Sequence, residues 1–215
     1  MPRVSQTEMV YEKLKERIDG GYYSPAESLP EMELATELEV SRNTVKKALL
    51  MLENDAYVVV EPNKGAKVRS FSRQEVLDYL QLRVELEGFI IRLTVPCFTE
   101  ADVDGLAALL TRMGERHEAN DLMGYSTLNQ EFHNLIYAKC PNKTATELLL
   151  RLKAQMRKYN AKTILVPGRD ARSYEEHRAI LEAIRTRNAQ EAEACMRSHI
   201  ENVRKVFEDY YTLLF

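Results

Sequence analysis

Apolar residues recur at helical spacing from near the start of the chain. In TEMVYEKLKERIDGGYY, Val10, Leu14 and Ile18 stand at i, i+4 and i+8, which predicts an amphipathic helix stopped by Gly20-Gly21. LPEMELATELEV predicts a short second helix with Leu34, Ala35 and Leu38 inward, broken at Glu39-Val40. Ser41 is a good N-cap for a third helix, whose Val45, Ala48, Leu49 and Leu52 share one face. YVVV then reads as a strand, EPNKG as a turn and AKVR as the returning strand. Helix, helix, turn, helix, hairpin is the order of a winged helix-turn-helix, and it occupies residues 1–70.

Beyond Ser72 the pattern is almost purely helical. Six helices are predicted, at about 73–95, 99–118, 121–139, 143–165, 171–187 and 189–213, with Pro96, Pro141 and Pro167-Gly168 between them. Short connections imply antiparallel neighbours, so residues 71–215 should form an all-α antiparallel bundle, with residues 70–73 as linker. The expected fold is mostly α, a winged helix-turn-helix followed by a six-helix bundle.

Composition narrows the field of functions. Hydrophobic residues make up 45% and charged residues 29%, an ordinary globular mixture. No apolar run reaches the ~20 residues of a membrane span and no secretory h-region opens the chain, so a cytoplasmic protein is expected. Three widely spaced cysteines, Cys97, Cys140 and Cys195, argue for reduced thiols. A net charge of −3 excludes polyanion binding by bulk charge, so any nucleic-acid role must come from local clustering.

Such a cluster exists. SRNTVKKALLMLE places Arg42, Asn43, Thr44, Lys46 and Lys47 on the opening turns of the third helix and its apolar residues further on. Ser41 as N-cap turns free backbone N–H groups outward, and a helix N-terminus attracts phosphate. Arg, Asn, Thr and Lys side chains there reach base edges or phosphates of a major groove. Residues 1–70 hold ten Lys and Arg against twelve Asp and Glu, but the acids lie mostly on the first two helices. The bases gather on the third helix and at the hairpin, with Lys64, Lys67 and Arg69, giving a basic edge on an acidic body.

The bundle carries a second constellation. His133 lies in LNQEFHNLIY with Asn129 four residues before it; His177 shares a stripe with Ile180, Leu181 and Ile184; His199 shares one with Met196 and Val203. Three histidines from three helices thus face the bundle interior, while His117 sits among polar residues. One inward histidine is commonly a hydrogen-bonded core residue, whereas three converging neutral imidazoles suit Zn²⁺, Ni²⁺ or a similar divalent ion. Cys195, one turn before His199, is a small residue suited to the interior. Arg83 sits among apolar residues of the first bundle helix with Glu87 one turn on, placed for an i, i+4 ion pair.

The stretch GGYYSPAESLPEMELATELEVSRNTVKKALLMLENDAYVVVEPNKGAKV resembles the winged-helix domain of GntR-type bacterial transcription regulators. FH, EHRAILEAI and AEACMRSHI resemble the FadR-like subgroup, whose C-terminal (FCD-type) helical domain often holds a metal on three His and an Asp. The resemblance implies that Ser41, Arg42, Asn43, Thr44 and Lys46 contact operator DNA, with Lys64 and Gly65 at a wing tip entering the minor groove. It implies a divalent metal on His133, His177 and His199, with Asn129 where the subgroup carries the Asp. It also implies that Arg83 binds the carboxylate of a small effector. Tyr125, Tyr159 and Asn160 are further candidates to line the same pocket, with no sequence pattern that singles them out.

The leading expectation is a homodimeric, effector-responsive transcription factor, a repressor reading a near-palindromic double-stranded operator with two winged heads. A small carboxylate held near the metal would modulate DNA affinity. The alternative is a metal-dependent hydrolase with an accessory winged domain, although no general base, nucleophile constellation or phosphate loop accompanies the histidines. A helical oligomerisation protein whose winged unit binds protein partners is a third class, separable by its insensitivity to salt.

Overall fold

A computed structural model describes residues 5–62, 64–156, 159 and 163–214. The chain divides into two compact units, Met1–Ser72 and Arg73–Phe215.

In the first unit, α1 (Gln6–Asp19) opens on a capping box between Ser5 and Glu8 and buries Val10, Tyr11, Leu14 and Ile18. The short α2 (Glu31–Glu37) follows, and Ser41 caps α3 (Arg42–Asn54) by accepting the Thr44 amide. Val45, Ala48, Leu49 and Leu52 of α3 are fully buried against Leu14, Leu34 and the sheet, which leaves the basic side of the helix outward. The sheet has three strands rather than the predicted two. Strand β1 (Ser28–Leu29) pairs antiparallel with β3 (Gly65–Val68), and β3 pairs with β2 (Val58–Glu61), in the order β1-β3-β2. Gly65 makes the extra pairing possible. Its φ is +111°, and a Cβ there would collide with the Leu29 carbonyl.

The second unit comprises α4 (Arg73–Thr94), α5 (Glu100–Glu118), α6 (Leu122–Lys139), α7 (Lys143–Gln155), α8 (Arg169–Arg185), α9 (Ala189–Asp209) and the single turn α10 (Tyr211–Leu214). Helix α4 packs along α9, α5 packs on α6 and α8, and α8 packs on α9. Their apolar stripes merge into one core that includes Ile90, Ile91, Phe132, Ile136, Ile184 and Met196.

Two predicted helices are shorter than their pattern suggested. The helix expected over 143–165 ends at Gln155, and a separate 3₁₀ turn spans Thr163–Leu165. The helix expected to reach 213 ends at Asp209, before α10. Conversely α8 starts two residues early because Gly168, at φ +73°, turns the chain directly into it.

Candidate functional site

The third helix presents its polar end to solvent. Ser41, Arg42, Asn43, Lys46 and Lys47 are exposed and Thr44 is half-buried. The Ser41 hydroxyl serves the cap, lying 3.1 Å from the Thr44 amide and 2.8 Å from its hydroxyl. The Arg42 Nε donates to Glu31 at 2.6 Å, so this cation extends from a buried carboxylate on α2. At the hairpin Lys64 is exposed and Lys67 pairs with Glu61 at 2.8 Å. Gly65, placed at the wing tip by the sequence resemblance, is buried at the start of β3, where its missing side chain admits the Leu29 backbone.

In the second unit α6, α8 and α9 bring His133, His177 and His199 together. Their ligand nitrogens lie within 4.8 Å of one another and the residues are at most 3% exposed. What stands behind each ring decides its tautomer. The His177 Nδ1–H donates to the Ser173 carbonyl at 2.6 Å, and the His199 Nδ1–H donates to Glu176 Oε2 at 2.6 Å. The His133 Nδ1 faces Glu87 Oε2 at 3.5 Å. His177 and His199 therefore turn Nε2 inward as lone-pair donors, whereas His133 Nδ1 is buried without a hydrogen bond; Nε2 of His133 and His177 are 3.2 Å apart. Two nitrogens each about 2.1 Å from one ion stand roughly 3–3.4 Å apart, so the spacing fits shared coordination. Carboxylate or carbonyl partners on the outer nitrogens are the usual support of metal-bound histidines.

Burial holds all three imidazoles neutral, the state a metal ligand needs. It lowers His177 to about 3, with His199 adding to the effect, and lowers His133 well below its ordinary range. It also lowers His199, outweighing the opposing Glu176 contact. Asn129 lies one turn before His133 on α6, and its Oδ1 is buried without a hydrogen bond. An amide oxygen left in this way beside three converging lone pairs is a donor set a divalent ion would complete. The residues present fit the metal that the fold implies. Cys195 lies outside the cluster, with Sγ near Glu191.

A cavity of about 280 Å³ opens beside the histidines, lined by residues that include Arg83, Asn129, His133, Lys153, Arg169 and His199. Arg83 is buried and forms the i, i+4 pair read from the sequence, with Nε and Nη2 each 2.6 Å from Glu87 Oε1. The Glu87 Oε2 accepts the Tyr137 hydroxyl at 2.5 Å, and Lys153 Nζ donates to the same hydroxyl at 3.0 Å. Burial alone would raise Glu87, but Arg83, Lys153 and the Tyr137 bond hold it at about 2. Burial lowers Lys153 to about 8 against the attraction of Glu87. On the far side of the histidines Arg169 Nη2 donates to Glu176 Oε2 at 2.7 Å. Burial would raise Glu176 too, and the His199 and Arg169 contacts hold it at about 2.

Tyr125 is buried near Ser173 without completing a hydrogen bond of normal geometry. Tyr159 packs edge-on against Phe207, and Asn160 lies outside the described residues. His117, set apart in the sequence, pairs with Asp170 at 2.6 Å. Sequence reasoning missed the outer partners. Glu176 precedes His177 yet supports His199 on another helix, while Lys153 and Arg169 follow no helical stripe that marks them as inward.

A winged helix-turn-helix with a basic recognition end, joined to a helical unit enclosing a histidine cluster and a cationic cavity, defines a DNA-binding regulator of transcription. The FCD domain matches residues 78–202, and the description "Bacterial regulatory proteins, gntR family" matches residues 6–68. The HTH-type transcriptional regulator YdhC of Bacillus subtilis is 26% identical over 93% of this chain and 91% of that protein. The Uxu operon regulator of Haemophilus influenzae is 30% identical over 91% of this chain and 79% of its own length. The structure of E. coli McbR/YncC, 23% identical, superposes with a TM-score of 0.73 over 97% of this chain and all of that one. The chain belongs to the GntR family, with an FCD domain as its helical unit: it is a transcriptional regulator and not an enzyme, which sets aside the hydrolase alternative.

Proposed function

We propose that the protein is a homodimeric, ligand-responsive repressor of a near-palindromic operator. Ser41, Arg42, Asn43, Thr44 and Lys46 would meet the major groove, and Lys64 the minor groove beside it, with Gly65 shaping the wing that carries Lys64. His133, His177 and His199, with Asn129, would hold a divalent ion, and Arg83 would contribute to binding a small carboxylate in the adjoining cavity. When bound, the ion would supply a fixed positive charge that anchors an anion. The convergence of three buried imidazoles, two of them held by hydrogen bonds at Nδ1, beside a cation-lined cavity carries this reading. The names of two relatives, the Uxu operon regulator and the repressor GlaR of E. coli, favour control of an operon by repression. Coupling of about 1–3 kcal/mol between cavity and DNA would be enough to switch occupancy.

Mobility-shift titration of the folded protein against the DNA upstream of its own and adjacent genes tests the DNA half. A shift at low salt is expected, and its absence would remove the proposal. Elemental analysis tests the other half. One divalent ion per chain is expected in the wild type and a loss of at least tenfold in affinity in His177→Ala; equal metal content in both would dismiss the site.

A further inference from the structure

We propose that the cavity takes a compact dianion, a molecule with two acid groups, and that Arg169 is a binding residue for one of them. This rests on reading the cavity as the effector site and names the chemical class of its ligand.

Three observations support it. Among the described residues the cavity lining includes three cations, Arg83, Lys153 and Arg169, and no Asp or Glu. Arg169 is only 3% exposed, and while its Nη2 is spent on Glu176, its Nη1 is buried with no hydrogen-bond partner. A guanidinium N–H left in that state costs free energy until an acceptor arrives, and a carboxylate or phosphate oxygen is the acceptor its fork suits best.

The third observation is the balance of charge around the cavity. Glu87 and Glu176 stand behind His133 and His199, each paired with one of the arginines, and so offset two of the three cations. Asn129, beside the histidines in the lining, adds no charge. One positive charge remains uncompensated, and a divalent ion on the histidines would add two more. A surplus of positive charge around a partly enclosed cavity favours a ligand with two negative charges over one with a single charge. The cavity, about 280 Å³, admits a ligand of roughly eight to ten heavy atoms.

Calorimetric titration of the full-length, Zn²⁺-loaded protein with malonate, succinate and glutarate, each against the mono-acid of equal chain length, tests the inference. At least one diacid should bind tenfold or more tighter than its mono-acid. Arg169→Gln should erase that preference, Arg169→Lys should restore part of it, and Asn129→Asp should narrow it. Thermal melts and metal content of each variant identify those that lost the fold or the ion, and the Arg169→Lys comparison then decides. Equal binding of diacids and mono-acids, or a preference that survives in folded, metal-replete Arg169→Gln, would overturn the dianion while leaving a carboxylate effector in place. No heat with any acid would overturn both.

Discussion

His177 shows how a single contact prepares a ligand. The Ser173 carbonyl can only accept, so it commits Nδ1 to its proton and leaves Nε2 bare, while burial lowers the ring to about 3. An unfolded chain would protonate the same ring near 6.5. The unfolded state therefore takes up protons first as pH falls, and stability that is complete above about 6.5 is lost progressively toward about 3. The metal-stripped protein should show a thermal midpoint that falls between pH 7.5 and pH 5, and His177→Gln should flatten the fall; a wild-type midpoint constant over that range would contradict the assignment. Gly65 illustrates a different demand. Alanine there combines a left-handed φ with a collision against the Leu29 carbonyl, so Gly65→Ala should cost about 1–3 kcal/mol in urea unfolding and weaken the wing's contribution to DNA affinity.

Among the elements, α3 has to anchor and to reach at once. Its apolar residues lock it into the first unit's core, and the Ser41 cap holds the end that carries the bases. Ser41→Ala should lower stability by about 1 kcal/mol, and it should weaken DNA binding even at saturating folded protein, because the first turn frays. A melting curve and a mobility shift on the same sample separate the two effects. The elements that sequence periodicity misjudged share one cause. The Leu-rich text of α7 continues past Gln155 in helical register, yet helix ends without cap or proline are set by packing. The two residues of β1 show no alternation at all and count as a strand only because β3 lies alongside them.

For the molecule as a whole, charge placement matters more than charge total. A net −3 would repel DNA, but Lys46 and Lys47 of α3 and Lys64 of the hairpin stand exposed, while Arg42 is tied to Glu31 of α2. Operator affinity should fall steeply with salt, and Lys46→Ala should reduce the slope of log affinity against log salt by about one. A salt-independent interaction would instead favour a protein partner. Among the described residues no helix is long and apolar enough to cross a membrane.

Periodicity and punctuation in the chain already determined the winged order, the helical bundle and the inward facing of His133, His177 and His199, because a helix's apolar stripe reports which side turns from water. Periodicity says nothing about which other helix covers that side. Only folding could place Glu87 behind His133, Glu176 behind His199 and Arg169 at the cavity wall, since these partners come from distant parts of the chain and meet by packing.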